Sequence, residues 1–302
     1  ENYRINEITL CPRALFKEKG VIVNTCIIKL TKNKVSDKHD IIFNDCRNNE
    51  VGNYLGNKTF VRQNKLLNYP DYVFDFNGGE KIFIKLKNNK KLIDFVDGGL
   101  GMHTTNNRKY LAVVDYDGIR YGKNGIDTII SYRNIDGNSW KFYHKKGGDR
   151  QYYSPVEYAV RWDKESVKNY KSFKNILPFI NKKGFLISGI SSRLSVRIAT
   201  EGALWESNKA MCFFPNDSSK YPPEFFIGIL NSSIYNKIIK LLNHTNSIQI
   251  RDIKKLPFFD FSQEDIIKIT NITRNIIIAL KENNNNIEQQ QKEIDILVNN
   301  YV

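Results

Sequence analysis

The chain has 302 residues, 41% hydrophobic and 26% charged, a globular mix that is long enough to bury its own core and excludes wholesale disorder. Its 46 Lys and Arg against 32 Asp and Glu leave a net charge of +14, which favours a polyanionic partner. With no apolar run of about eighteen residues, no apolar signal region after Glu1 and no C-x-x-C spacing among Cys11, Cys26, Cys46 and Cys212, we expect no membrane span, no secretory leader, no zinc site and a cytoplasmic protein with reduced thiols.

Val21 to Leu30 is a β-branched apolar run that predicts a buried strand, with nothing upstream to supply its sheet. Together with the absence of an initiator Met, this reads as the end of a domain that begins elsewhere. Tyr72 to Phe76, Asn77-Gly78-Gly79 and Lys81 to Leu86 carry a hairpin signal. Tyr110 to Arg120 repeats it around Asp117-Gly118, and Ile126 to Phe142 around Asp136-Gly137-Asn138, so residues 70–142 are expected to be mostly β. Pro222-Pro223-Glu224 opens a helix with Phe226, Ile229, Leu230, Ile234, Ile238 and Leu241 at helical spacing. Leu256-Pro257-Phe258 closes a connection, and Ser262-Gln263-Glu264-Asp265 is a capping box for a helix bearing Ile266, Ile269, Ile272, Ile276 and Leu280. Asn283 to Asn286 ends it, and Ile287 to Tyr301 is a final amphipathic helix.

Charge is concentrated. Residues 141–200 hold thirteen Lys and Arg against four acids, with ten aromatic rings among them. Cations interleaved with rings suit phosphate contact and base stacking, although a solvated β-rich surface with half-buried rings has the same composition. Enzyme motifs are scarce. Asp97-Gly98-Gly99-Leu100-Gly101 has the composition of a cofactor turn but no βαβ context. There is no G-x-x-x-x-G-K-S/T, and Glu80-Lys81 lacks the spacing of a metal-dependent nuclease. His39, His103, His144 and His244 are too scattered to ligate zinc as i, i+4 pairs, so we expect no metal.

Several stretches carry a family resemblance. Gly101-Met102-His103-Thr104-Thr105-Asn106-Asn107-Arg108-Lys109-Tyr110-Leu111 looks like G-L-x-T-G-x-N-x-x-F-L. Lys145-Lys146-Gly147-Gly148-Asp149-Arg150-Gln151-Tyr152-Tyr153, with Glu157 to Trp162, is similar to a K-G-G block followed by Arg and two aromatics. Ile190-Ser191-Ser192 with Arg197, Ile229-Leu230-Asn231-Ser232-Ser233, Ile253 to Phe258 and Glu293 to Val298 follow in the family's order. Together, over residues 95–302, they resemble the C-terminal part of adenine-specific DNA methyltransferases with a TaqI-like specificity domain, as in type IIG restriction–modification and BREX phage-defence enzymes. Residues 7–31 resemble the last strand region of the catalytic domain. The chain departs from the pattern at Thr105, where the family has Gly, and its Lys-Gly-Gly block is one residue shorter. It also lacks the family's cofactor loop and Asn-Pro-Pro-Tyr motif, so an enzymatic activity of this chain itself is left open.

The resemblance implies an α+β fold. Residues 1–40 would be a methyltransferase remnant, the last strand or strands of a truncated α/β domain. Residues 41–94 would connect it to a β-rich target-recognition domain at 95–260, with C-terminal helices at 261–302. It implies sequence-specific double-stranded DNA as partner, alongside an upstream catalytic domain or subunit, and no membrane. S-adenosylmethionine would serve the parent enzyme, with no cofactor in this chain. In the DNA-contacting set, His103, Thr104, Asn106, Asn107 and Arg108 sit on a loop where amides suit adenine and guanidinium suits guanine. Lys145, Lys146 and Arg150 flank Gly147-Gly148, whose backbone N–H groups could approach a phosphate. Ser191, Ser192, Arg193 and Arg197 would contact phosphate or base, the two Arg sharing a face if 190–198 is a strand. Tyr152 could stack on a base or fill the core, and Asn208 and Lys209 complete the set. Plain turns and surface strands would account for each group equally. A protein-interaction subunit whose basic face docks an acidic partner is the alternative function.

Overall fold

The computed structural model describes residues 3–13, 15–16, 25–69, 74, 82, 84, 86, 88–122, 125–243 and 245–302, and divides into two units, 1–88 and 89–302. In the first unit, β1 (Arg4–Leu10), β2 (Cys26–Thr31), β3 (Asp40–Asp45) and β4 (Asn57–Arg62) form one sheet in the order β2-β1-β3-β4. The sheet crosses position 40, and β1 runs parallel to β3. Ile8, Ile41 and Phe43 are buried in it. The buried strand expected at 21–30 is instead an edge strand. Among the described residues β2 pairs only with β1, and Ile27, Ile28 and Leu30 are exposed. Its sheet is supplied by β1, which the sequence reading missed. Residues 21–24, the Asn77-Gly78-Gly79 turn with most of its flanks, and His244 lie outside the described residues.

The second unit contains β5 (Lys90–Lys91), β6 (Val96–Gly99), β7 (Leu111–Tyr116), β8 (Ile119–Arg120), β9 (Ile129–Ser131), β10 (Trp140–His144), β11 (Tyr158–Arg161), β12 (Phe185–Ser188), β13 (Val196–Ile198), β14 (Leu204–Trp205), β15 (Ala210–Pro215) and β16 (Pro257–Phe258). One sheet runs β14-β10-β11-β7-β8 with β9 alongside β7, a second runs β13-β12-β15-β6, and β16 pairs β5. The turn between β7 and β8 is the one the sequence announces: Asp117 and Gly118 both have positive φ, 53° and 95°, the twist that a two-residue hairpin needs. The second expected hairpin does not form. The Gly137 turn exists, but β9 runs parallel to β7 while β10 pairs with β11, because a 3-10 turn at Tyr132–Asn134 redirects the chain. Side chains from the two larger sheets, among them Leu111, Tyr143, Tyr158, Leu186, Trp205 and Phe214, share one core.

The helices of the second unit are α1 (Asn107–Tyr110), α2 (Lys164–Val167), α3 (Pro223–Asn231), α4 (Ser233–Leu242), α5 (Ile250–Lys254), α6 (Gln263–Lys281) and α7 (Glu288–Asn299). The single helix expected after Pro222 is two. Ser232 takes an extended conformation, ψ 156°, and its hydroxyl donates to the Ile229 carbonyl at 2.6 Å, closing α3 before α4 begins. Its neighbour Asn231 ties α3 to β13: the amide donates to the Val196 carbonyl at 2.7 Å and accepts from the Val196 N–H at 2.9 Å. A Cβ on Gly228 would meet Thr273 Oγ1 at 2.5 Å, so its absence lets α3 approach α6. Ser262 caps α6 through the Asp265 N–H at 3.1 Å, as its sequence predicts. The observed class is α+β, β-rich with a helical C-terminal region.

Candidate nucleic-acid interface

Four segments far apart in sequence meet at the end of β10. Met102 N–H donates to the Trp205 carbonyl at 2.9 Å, bringing residues 103–109 beside 206–209. Lys145 Nζ donates to Asn107 Oδ1 at 3.3 Å. Gly148 N–H donates to the Ile190 carbonyl at 2.7 Å, and Gly189 N–H to the Lys209 carbonyl at 3.2 Å. The joined rim borders an open depression of about 380 Å³ lined by Lys145, Lys146, Gly147, Gly148, Tyr158, Ile190 and Lys209. Every cluster chosen from the sequence thus contributes to one surface.

Many of its polar side chains, however, hold the rim together. Thr104 is buried and its hydroxyl donates to Asn107 Oδ1 at 2.6 Å. Asn106 caps α1 by accepting from Lys109 N–H at 3.1 Å. Thr105, at the departure from the family pattern, adopts the left-handed conformation that glycine favours, φ 59°, and its hydroxyl donates to the Thr104 carbonyl. Lys146 Nζ donates to the Tyr121 carbonyl at 2.5 Å and lies over the Tyr158 ring. Arg150 forms an ion pair with the buried carboxylate of Glu157. Asp149 accepts from both Ser191 and Ser192 hydroxyls and from Ser192 N–H at 2.8 Å, bonds that push its carboxyl down to about 2. Glu206 accepts from the Asn208 and Lys209 N–H groups and sits 3.6 Å from His103 Nδ1.

Three readings change. The Gly148 N–H donates to Ile190 and is not open to a phosphate; Gly148 is needed for its φ of 99° instead. Arg193 and Arg197 do not share a strand face. β13 begins only at Val196, Arg193 is exposed on the preceding loop, and Arg197 points inward at 1% exposure. There Arg197 donates to Ser188 Oγ at 2.9 Å and to the Lys146 carbonyl at 2.7 Å, its Nε is unpartnered, and burial pulls its guanidinium down to about 10. Arg197 therefore supports the Lys146 loop from beneath. Tyr152 is fully buried with its hydroxyl on Gln291, a core ring rather than a stacking platform.

The exposed cations of the rim are Arg108, Arg193 and Lys209, with Lys145 half-buried beside them. Among the described residues the side chains of Arg108 and Lys209 form no hydrogen bond or ion pair. Burial holds the Lys145 ammonium below its ordinary range, Glu206 opposing and Lys209 reinforcing the shift, so the two lysines feel each other's charge. Among the described residues, no three His, Cys, Asp or Glu side chains gather as metal ligands. Residues 97–101 do not fit S-adenosylmethionine. Asp97-Gly98-Gly99 belongs to β6, and the space a Cβ would take at Gly98 and Gly99 is filled by the Cys212 carbonyl and Ile250.

The fold has a solved counterpart. The type IIL restriction-modification enzyme MmeI, whose structure was determined in complex with DNA, superposes with a TM-score of 0.51 over 99% of this chain at 12% identity. The chain spans 43% of that enzyme's chain, and at this identity the two share a fold. No protein-family profile and no curated protein matches the sequence.

Sequence reasoning missed Ile190 and Tyr158 as lining residues, and Asp149 and Glu157 as the anionic clamps of the rim. The four acids of the 141–200 window were the available signal: two of them, Asp149 and Glu157, are these clamps.

Proposed function

We propose that residues 89–302 form the DNA target-recognition module of an adenine-specific, S-adenosylmethionine-dependent DNA methyltransferase acting in restriction–modification or phage defence. The observation that carries this reading is the convergence of four basic, amide-bearing segments on one rim with Arg108, Arg193 and Lys209 exposed and Lys145 half-buried beside Lys209. Cations at this density neutralise phosphates, while Asn208 and Arg108 offer the amide and guanidinium groups that read base edges. The likeness to a restriction-modification enzyme solved with DNA supports the same reading. Methyl transfer would belong to a catalytic domain or subunit that this module orients.

The test is selection from random duplexes at two salt concentrations. An enriched motif containing adenine is expected, with affinity falling steeply as salt rises. Lys145→Ala and Lys209→Ala should each weaken binding several-fold and lower the salt slope by about one. Binding that is flat across salt, or unaffected by both substitutions, would refute the assignment.

A further inference from the structure

Among the cations and amides of the rim stands an aliphatic side chain. Ile190 is 52% exposed and borders the same depression as Lys145, Lys146 and Lys209. The loop that carries it buries its other aliphatic side chain, Leu194, completely. The hydroxyls of Ser191 and Ser192 on that loop are donated to Asp149. Ile190 and Arg193 are what the loop then presents outward. The backbone around Ile190 is held from three directions. Its carbonyl accepts the Gly148 N–H at 2.7 Å, the Gly189 N–H donates to the Lys209 carbonyl at 3.2 Å, and the Ser191 N–H donates to the Asn246 carbonyl at 3.0 Å. Gly189 is pressed so closely against the Asn208 carbonyl that a Cβ there would collide with it. Ile190 is thus fixed next to the exposed Asn208, one of the groups assigned above to base edges.

An aliphatic side chain gains nothing from a phosphate and makes no hydrogen bond to a base. Among the groups that base pairs present in the major groove, the apolar one is the 5-methyl group of thymine, and the minor groove presents none. We infer that Ile190 is a specificity-determining residue that seats against the 5-methyl group of one thymine in the major groove. The inference rests on the DNA-binding reading above. Arg108 and Asn208 distinguish bases by donors and acceptors, whereas Ile190 responds to a methyl group that carries neither. Burying one methyl group against it is worth roughly fourfold in affinity. Because the loop is already pinned, little of that gain is lost to ordering it on contact.

The experiment uses the full 302-residue chain and duplexes of the selected sequence in which each thymine in turn is replaced by uracil, which pairs identically and lacks only the methyl group. At one position affinity is expected to fall about three- to tenfold. Ile190→Ser, at an exposed position, should bind the thymine and uracil duplexes equally there with its salt slope unchanged, and Ile190→Val should keep most of the discrimination. A complex indifferent to uracil at every position, or a discrimination that survives Ile190→Ser, overturns the methyl contact and leaves the DNA-binding reading standing. An Ile190→Ser variant that weakens all duplexes alike, with thymine and uracil never distinguished, assigns Ile190 to a wedge between base steps and equally overturns the methyl contact. Absence of any duplex complex overturns both readings.

Discussion

His144 is buried at the end of β10, and its Nε2 accepts the Thr200 N–H at 3.1 Å, which requires the neutral ring. Burial, with Arg197 adding to it, pushes its pKa down to about 3. The unfolded chain titrates near the ordinary value of about 6.5, so between about 6.5 and 3 the unfolded state binds the extra proton. The contribution of His144 is complete above 6.5 and is lost as pH falls, amounting to roughly 2 kcal/mol by pH 5. Denaturant unfolding from pH 7 to pH 5 should show this decline, and His144→Gln should flatten it; an unchanged slope would remove His144 as its source. Nothing in the sequence distinguishes His144 from the surface histidine His103, because burial depends on which strands close over β10. The cluster Lys145-Lys146 was legible for the opposite reason, as charge density is a property of sequence alone. What the sequence hid was which charges are already spoken for. Lys146 and Arg150 face Glu157, and Arg197 faces inward, whereas Lys145 is half-buried on Asn107 and Lys209 is exposed.

At the scale of elements, the parts set by local chemistry were readable. The Asp117-Gly118 turn and the Ser262 cap depend on residues within one or two turns of themselves. The pairing of β9 with β7, the exposure of β2 and the break at Ser232 depend on distant partners, so periodicity alone merged or misplaced them. Leu230-Asn231-Ser232, quoted above only as a resemblance, has a physical role here. The amide of Asn231 satisfies both the N–H and the carbonyl of Val196, and the hydroxyl of Ser232 ends the helix. Asn231→Ala leaves the Val196 N–H unpaired, while the Val196 carbonyl keeps the Tyr152 N–H at 2.7 Å, and should cost about 1–3 kcal/mol. Because β13 also carries Arg197 beneath the Lys146 loop, DNA affinity should fall with it at temperatures where the chain remains folded. Chemical denaturation combined with a binding titration checks both, and a destabilisation below about 0.5 kcal/mol would contradict this role.

For the whole molecule, the division between Asn88 and Asn89 implies that the second unit carries its own core and the entire rim. Residues 89–302 expressed alone should unfold in one cooperative transition and bind duplex DNA as tightly as the full chain, within about threefold; a molten product or lost binding would show that the first unit is required. One bond within this unit has a consequence in time. Tyr152 sits in the left-handed region, φ 64°, with its hydroxyl bonded to Gln291 on α7, 139 residues later. On a ribosome adding roughly 5–20 residues per second, that partner arrives several seconds or more after the tyrosine has emerged. Until then the loop from Arg150 to Tyr153 lacks this anchor, so the rim matures only once α7 has emerged, and a chain interrupted before α7 would carry the basic residues without their settled arrangement.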